Sequence, residues 1–170
     1  GGASDWIELH NTTEQAIEWF NEADAPRFLW IHLMETHRPY GAGEDAISKD
    51  LDQKAFFKPN KLTTAERDEI DAKYRASLER ADENVRYLLE ELDSDPALVF
   101  TADHGEGFGD DGYYFHQPQL RRVDDCLLDV PVVFDGIDVD AGPLSLLDLA
   151  PTIAASAGAP VEDRWLGNNL

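Results

Sequence analysis

Asp103 and His104 stand side by side in the stretch Thr101-Ala102-Asp103-His104-Gly105-Glu106. At the end of a strand the strict alternation of side chains lapses, so an adjacent carboxylate and imidazole can turn toward one cation. Carboxylate oxygen with one imidazole nitrogen suits Ca²⁺, Mg²⁺ or Mn²⁺, and also accommodates Zn²⁺; Ca²⁺ is the expected ion. The same six residues read equally as a plain turn, with Asp opening it, Gly supplying a positive φ and His incidental. Two further histidines sit in loops, His37 ahead of Pro39 and His116 in the aromatic segment Tyr113-Tyr114-Phe115-His116. An imidazole titrating near neutral pH can donate or accept a proton there, although a surface His in an aromatic loop needs no function. Cys126 lies among Asp124, Asp125 and Asp129; acidic neighbours disfavour a thiolate, so it reads as a small buried hydrophobe and not as a nucleophile.

These residues need elements to hold them. Ala97-Leu98-Val99-Phe100, bounded by Pro96 and Gly105, reads as a buried strand with Asp103 and His104 at its carboxyl end, the edge at which open α/β sheets bind ligands. Residues 27–34 form a second apolar run, read as a central parallel strand buried on both faces. His32 inside it reads as a hydrogen-bonded core residue and is left out of the site. Thr63-x-x-Glu66 is a capping box opening a helix at 64–92, with Ile70, Tyr74, Leu78, Ala81, Val85, Leu88 and Leu92 as its apolar stripe. Thr12-x-x-Gln15 similarly predicts a helix at about 13–23, after an irregular lead-in. Residues 45–61 read as a variable cover, either shaping a substrate pocket or a solvated excursion, with the excursion the favoured reading. A short strand at 130–134, an edge strand at 137–139 and a helix at 146–157, with Pro151 near its first turn and Gly158 as its cap, complete the chain. The expected fold is a single α/β domain over 1–170, a mostly parallel sheet with helices on both faces. Parallel neighbours at 27–34 and 97–102 would open on one edge, bringing His37, Asp103, His104 and His116 to a shared pocket.

Four segments carry a family resemblance. Asp103-His104-Gly105-Glu106 resembles the metal-binding signature of the sulfatases, in the alkaline-phosphatase-like superfamily. His37-Arg38-Pro39-Tyr40 resembles the family's His-x-Pro-Tyr segment, Val130-Pro131-Val132-Val133-Phe134 its Arg-Val-Pro strand, and Leu147-Asp148-Leu149-Ala150-Pro151-Thr152 its helix start. The four occur in the family's order. The resemblance implies metal-dependent hydrolysis of a small-molecule or glycan sulfate ester, with Asp103 and His104 as ligands of a divalent cation. It implies that His37 and His116 contact the sulfate or protonate the leaving group. Phosphodiester or phosphonate-ester hydrolysis is the alternative within the superfamily, and a non-catalytic truncated module is the alternative outside it. The family's formylglycine segment, cysteine/serine-x-proline-x-arginine, has no match in the 170 residues, nor does its early pair of metal-binding aspartates. Where the family often has a second His, this chain has Asp110 and Asp111, read as a solvated turn or as added ligands. The expectation is the carboxyl-terminal portion of a catalytic domain, inactive by itself.

The formal charge is −21, from 35 acidic and 14 basic residues. Such a balance argues against nucleic acid and against anionic membranes as partners. Aromatic content of 10% and hydrophobic content of 42% argue for a folded core. No internal disulfide can form from one cysteine. Acid excess with five Lys points to a halophilic protein of a high-salt cytoplasm, where self-repulsion is screened over about 3 Å at 1 M salt. The melting temperature is therefore expected to rise between low and molar NaCl; a flat profile contradicts the reading.

Overall fold

The structure is a computed structural model describing residues 5–109, 112–116, 123–140 and 142–170. Asp110 and Asp111 lie outside the described residues. The chain divides into two compact units, Gly1–Asp95 with Glu106–Arg122, and Pro96–Gly105 with Val123–Leu170.

In the first unit, α1 (Asp5–Glu22), α2 (Lys49–Phe57) and α3 (Thr64–Glu91) carry the structure. The helix expected at 13–23 starts earlier, so Thr12 lies inside it and does not cap it. Asn21 near its end donates from Nδ2 to the Glu91 carbonyl at 2.9 Å and accepts from the Asp93 amide at 2.9 Å, meeting an orphan carbonyl at the end of α3. The capping box of α3 is present: Thr63 Oγ1 accepts from the Glu66 amide at 3.3 Å, and Glu66 Oε2 accepts from the Thr63 amide at 2.7 Å. The Lys54 ammonium, 2.6 Å from Glu66 Oε1, and then the Thr63 amide hold the Glu66 carboxyl down at about 2.

The stripe read from the sequence is rotated from the face that is buried. Ile70 is fully buried, but Ser77 and Asn84 are the other buried residues of α3, at steps of seven, and Leu78 is 44% exposed. Small polar side chains are buried there because each has a partner. Ser77 Oγ accepts from the Gly41 amide at 3.1 Å, and Asn84 Nδ2 donates to Glu35 Oε1 at 2.8 Å. An apolar count passes over such positions.

Residues 45–61 are not a solvated excursion. Ser48 caps α2 by accepting from the Leu51 amide at 3.2 Å, and Ile47, Leu51 and Ala55, one face at steps of four, are buried with Tyr40, Leu62, Ile70, Tyr114 and Phe115. This cluster is the core of the unit. Residues 27–34 run extended, with odd positions half-buried and even positions exposed, and form no strand among the described residues. A run apolar on both faces suits a strand flanked by others and covered twice; here Phe28 is 65% and Trp30 81% exposed. His32 is exposed as well, contrary to its reading as a core residue.

In the second unit, β1 (Leu98–Thr101) pairs with β2 (Val132–Asp135), Leu98 opposite Asp135 and Thr101 opposite Val132. The ladder is antiparallel and two-stranded, in place of the mostly parallel sheet expected from the sequence. A parallel ladder needs a crossover neighbour, and among the described residues β1 has only the β2 ladder. Residues 137–139 are irregular and form no edge strand. A short helix α4 (Asp125–Leu128) follows the loop after β1; Cys126 on it is exposed, not buried. The Gly105 amide donates to the Leu127 carbonyl at 2.9 Å, and a Cβ at Gly105 would stand 2.0 Å from the Cys126 carbonyl oxygen, so the metal-signature loop closes only with Gly there.

The turn Leu146–Asp148 leads into α5 (Leu149–Ser156), with Gly158 at φ 69° beyond its end as expected. Asp148 Oδ2 accepts from the Ser145 amide at 2.8 Å and Oδ1 from the Asn168 amide at 2.7 Å, tying the tail to the start of the helix.

Two outcomes follow for stability. Ile70→Ala is expected to lower unfolding free energy by about 2–5 kcal/mol, and Leu78→Ala by about 1 kcal/mol or less; urea denaturation giving the reverse order would reject the face assigned to α3. The Asn168 and Ser145 amides hold the Asp148 carboxyl below its ordinary 3.8. A depressed carboxylate stabilises fully above the unfolded value and loses that contribution as pH falls through the folded one. Asp148→Asn should therefore lower the melting temperature at pH 7, with the gap to wild type narrowing below about pH 4; a gap unchanged down to pH 2 contradicts this.

Candidate functional site

Tyr40 is the centre of the first unit's site. Its ring is fully buried, edge-on to Tyr74 at 5.0 Å and to Phe115 at 5.7 Å between centroids, with Phe108 at 6.1 Å. Such offset aromatic contacts fix the ring beyond what area burial alone provides. Its hydroxyl donates to Glu106 Oε2 at 2.8 Å. Burial, and after it the Glu106 charge, hold the Tyr40 phenol well above its ordinary value, so it remains a donor. Arg38, two residues earlier, lies over the Phe56 and Phe115 rings at 4.7 Å each and donates from Nε to Asp52 Oδ1 at 3.0 Å, with Nη2 on Oδ2. This fork and stack fix the backbone that carries His37.

His37 and His116 come together, their rings edge-on with centroids 5.9 Å apart. His37 is exposed and His116 half-buried. Nδ1 of His37 is 2.6 Å from the Arg38 carbonyl oxygen. A carbonyl only accepts, so that nitrogen carries the proton and the lone pair of the neutral ring falls to Nε2. Nδ1 of His116 lies 3.3 Å from Glu106 Oε1, which assigns the same tautomer. Glu106 thus receives Tyr40 on one oxygen and His116 on the other, with its side chain only 9% exposed. Phe115, next to His116, takes φ 68°, uncommon for a residue with a Cβ. The amide of Phe115 donates to the Gly107 carbonyl at 2.8 Å, which closes the loop between Glu106 and His116.

Glu106 is the residue that sequence reasoning passed over as a working group. The signal was present: it ends the Asp-His-Gly-Glu segment, as Tyr40 ends the His-x-Pro-Tyr segment, and the two terminal residues bond to each other.

In the second unit, Asp103 and His104 follow β1 and remain adjacent and exposed. Nδ1 of His104 lies 2.7 Å from the Gly105 carbonyl, which places the neutral ring's lone pair on Nε2, 3.7 Å from Asp103 Oδ1. Asp103 Oδ1 also accepts from the His104 amide at 3.0 Å, which orients the carboxylate. Two donors at that separation can share one cation at ligand distances of about 2.0–2.6 Å. One oxygen and one nitrogen therefore fit part of a divalent coordination shell. Among the described residues no three or more His, Cys, Asp or Glu gather as a complete one.

The model of the sulfatase family matches residues 8–159. An ulvan-active sulfatase of Formosa agariphila is 24% identical over 162 residues, covering 86% of this chain and 31% of that protein. A low-salt glycan biosynthesis sulfotransferase, Agl7 of Haloferax volcanii, is 26% identical over 181 residues, covering 92% of this chain and 41% of that protein. The chain thus spans about a third to two fifths of the length of these curated relatives. No solved structure matches it at a significant level. With nearly the whole chain under the family's model, and the family's segments carrying the paired histidines and the Asp-His pair, the protein belongs to the sulfatase family and its α/β fold class.

Proposed function

We propose that this chain supplies part of the catalytic centre of a metal-dependent sulfuric ester hydrolase acting on a sulfated glycan or a smaller sulfate ester. The observation that carries the reading is the paired imidazoles of His37 and His116, each with Nδ1 committed to an acceptor, in a chain of the sulfatase family. Sulfate ester cleavage requires a nucleophile, neutralisation of the charge on the transferred group, and a proton for the leaving oxygen. His37 and His116 address the sulfate oxygens or give that proton, through Nε2 in each case. Asp103 and His104 are ligands of the divalent cation, with Ca²⁺ the proposed ion and Mg²⁺ or Mn²⁺ the alternatives the same donors accept. The cation, when bound, supplies Lewis-acid stabilisation of the transferred group.

The nucleophile is assigned to polypeptide outside these 170 residues, which lack a formylglycine segment. The exposed apolar face of residues 28–34 supports further polypeptide completing the domain, and so does the partial coverage of the relatives. A second reading, transfer of the sulfuryl group to a glycan hydroxyl in place of water, is favoured by the name of the Haloferax relative. Both readings share the sulfuryl group and the same four residues.

Residues 1–170 alone are expected not to turn over an aryl sulfate. A longer polypeptide that includes a cysteine/serine-x-proline-x-arginine segment is expected to be active and chelator-sensitive, with Asp103→Ala costing at least about 100-fold in kcat/KM and His116→Ala about 10²–10⁴-fold. Turnover by residues 1–170 at a rate abolished by Asp103→Ala would overturn the assignment of the nucleophile elsewhere.

A further inference from the structure

Glu106 has no role in the chemistry proposed above, yet its side chain is nearly enclosed and bonds directly to one of the paired histidines. It is shared by two donors of different kinds. Tyr40 is locked in the aromatic core and reaches Oε2 at 2.8 Å. His116 reaches Oε1 at 3.3 Å through Nδ1. The other two loop histidines meet backbone carbonyls with their Nδ1 atoms, which are fixed acceptors. Only His116 depends, among these bonds, on a side chain for its tautomer.

We propose that Glu106 is a positioning residue: anchored by Tyr40, it holds His116 as the Nδ1–H tautomer, so that any proton His116 exchanges with a substrate passes at Nε2. The tautomer follows from the geometry of the unit itself; the exchange with a sulfate ester at Nε2 rests on the proposed function. The same bond couples the imidazole to the buried core, which limits the orientations open to a half-exposed loop residue.

The arrangement makes a signed prediction about Glu106→Gln. An amide has one accepting atom and one donating group. Its oxygen is retained by Tyr40, which holds the shorter of the two bonds: a hydroxyl that accepted from the amide NH₂ instead would leave its own buried proton without an acceptor among the described residues. The amide NH₂ then faces His116 Nδ1, which must accept, so the ring proton moves to Nε2. Removing the phenolic hydroxyl as well, in Tyr40→Phe/Glu106→Gln, leaves the amide free to turn its oxygen to His116, and the Nδ1–H tautomer returns.

The test is long-range ¹H–¹⁵N correlation of the histidine rings in the 170-residue chain, above the pH at which the imidazoles are charged. In wild type, His37, His104 and His116 are all expected as Nδ1–H. In Glu106→Gln, His116 alone inverts to Nε2–H, while His37 and His104 keep their tautomers and serve as controls for the fold. In the double variant His116 reverts. A wild-type His116 found as Nε2–H overturns the proposal without any variant, so a substitution that failed to fold would not protect it. Inversion of all three histidines, or of none, in Glu106→Gln also overturns it. In the active longer polypeptide, Glu106→Gln is expected to lower kcat by roughly 10–100-fold, with recovery in the double variant. Tautomer inversion with unchanged kcat would refute the role given to His116 in catalysis and leave the positioning by Glu106 standing.

Discussion

The hydrogen bond from Tyr40 to Glu106 is the constraint on which the first unit's site depends. It joins a ring held by aromatic contacts to a carboxylate held within the loop that follows the Asp-His-Gly segment. Tyr40 could be buried this deeply only with its hydroxyl paired, because an unpartnered buried hydroxyl costs about 1–3 kcal/mol. Glu106 in turn could be enclosed only with donors on its oxygens. Each group makes the other's burial affordable, and His116 is placed as a consequence. The core that stabilises the unit and the His116 imidazole are therefore not separable: a change in aromatic packing near Tyr74 or Phe115 reaches that ring through one bond.

The cations of this acidic chain reinforce the same arrangement. Arg27 bridges Asp93 and Ser94 at 2.6 and 2.7 Å and lies over the Phe20 ring, pinning the entry to the extended segment 27–34. Arg38 joins Asp52 of α2 to the aromatic core one residue after His37. Lys54 joins α2 to the cap of α3 through Glu66. With 14 basic residues against 35 acidic ones, positive side chains at the joints of the unit hold together elements whose net charge would separate them, and added salt screens what remains.

Most local signals were legible in the sequence, the Thr12 box inside α1 excepted, and long-range ones were not. The Thr63 capping box, Pro151 in the first turn of α5 and Gly158 beyond its end are chemistry within a few residues, and each appears as read. The strands at 98–101 and 132–135 were also legible as short apolar runs. Their antiparallel pairing was not, because pairing is a property of two segments 30 residues apart and the apolar pattern of either fits both directions. The buried face of α3 was misread because Ser77 and Asn84 are polar and bond to Gly41 and Glu35, partners no periodicity can reveal. Helix α2 was missed because its apolar face is short: Leu51, Ala55 and the partly buried Phe56, with the preceding Ile47. For the site, the resemblance pointed to Asp103, His104, His37 and His116, and the structure places the last two ring against ring. Glu106 stood in the Asp-His-Gly-Glu segment, but its bonds to Tyr40 and His116 join residues 66 and 10 positions apart and so were not legible there.

The central claim is that Tyr40 and Glu106 act as one unit. A double-mutant cycle with Tyr40→Phe, Glu106→Leu and the pair, in which each single change removes the bond, followed by urea denaturation of the 170-residue chain, tests it most directly. A coupling energy of about 1.5–3 kcal/mol, the range for a hydrogen bond to a charged acceptor, is the predicted result. Losses that simply add, within about 0.5 kcal/mol, would contradict it and detach the site from the core.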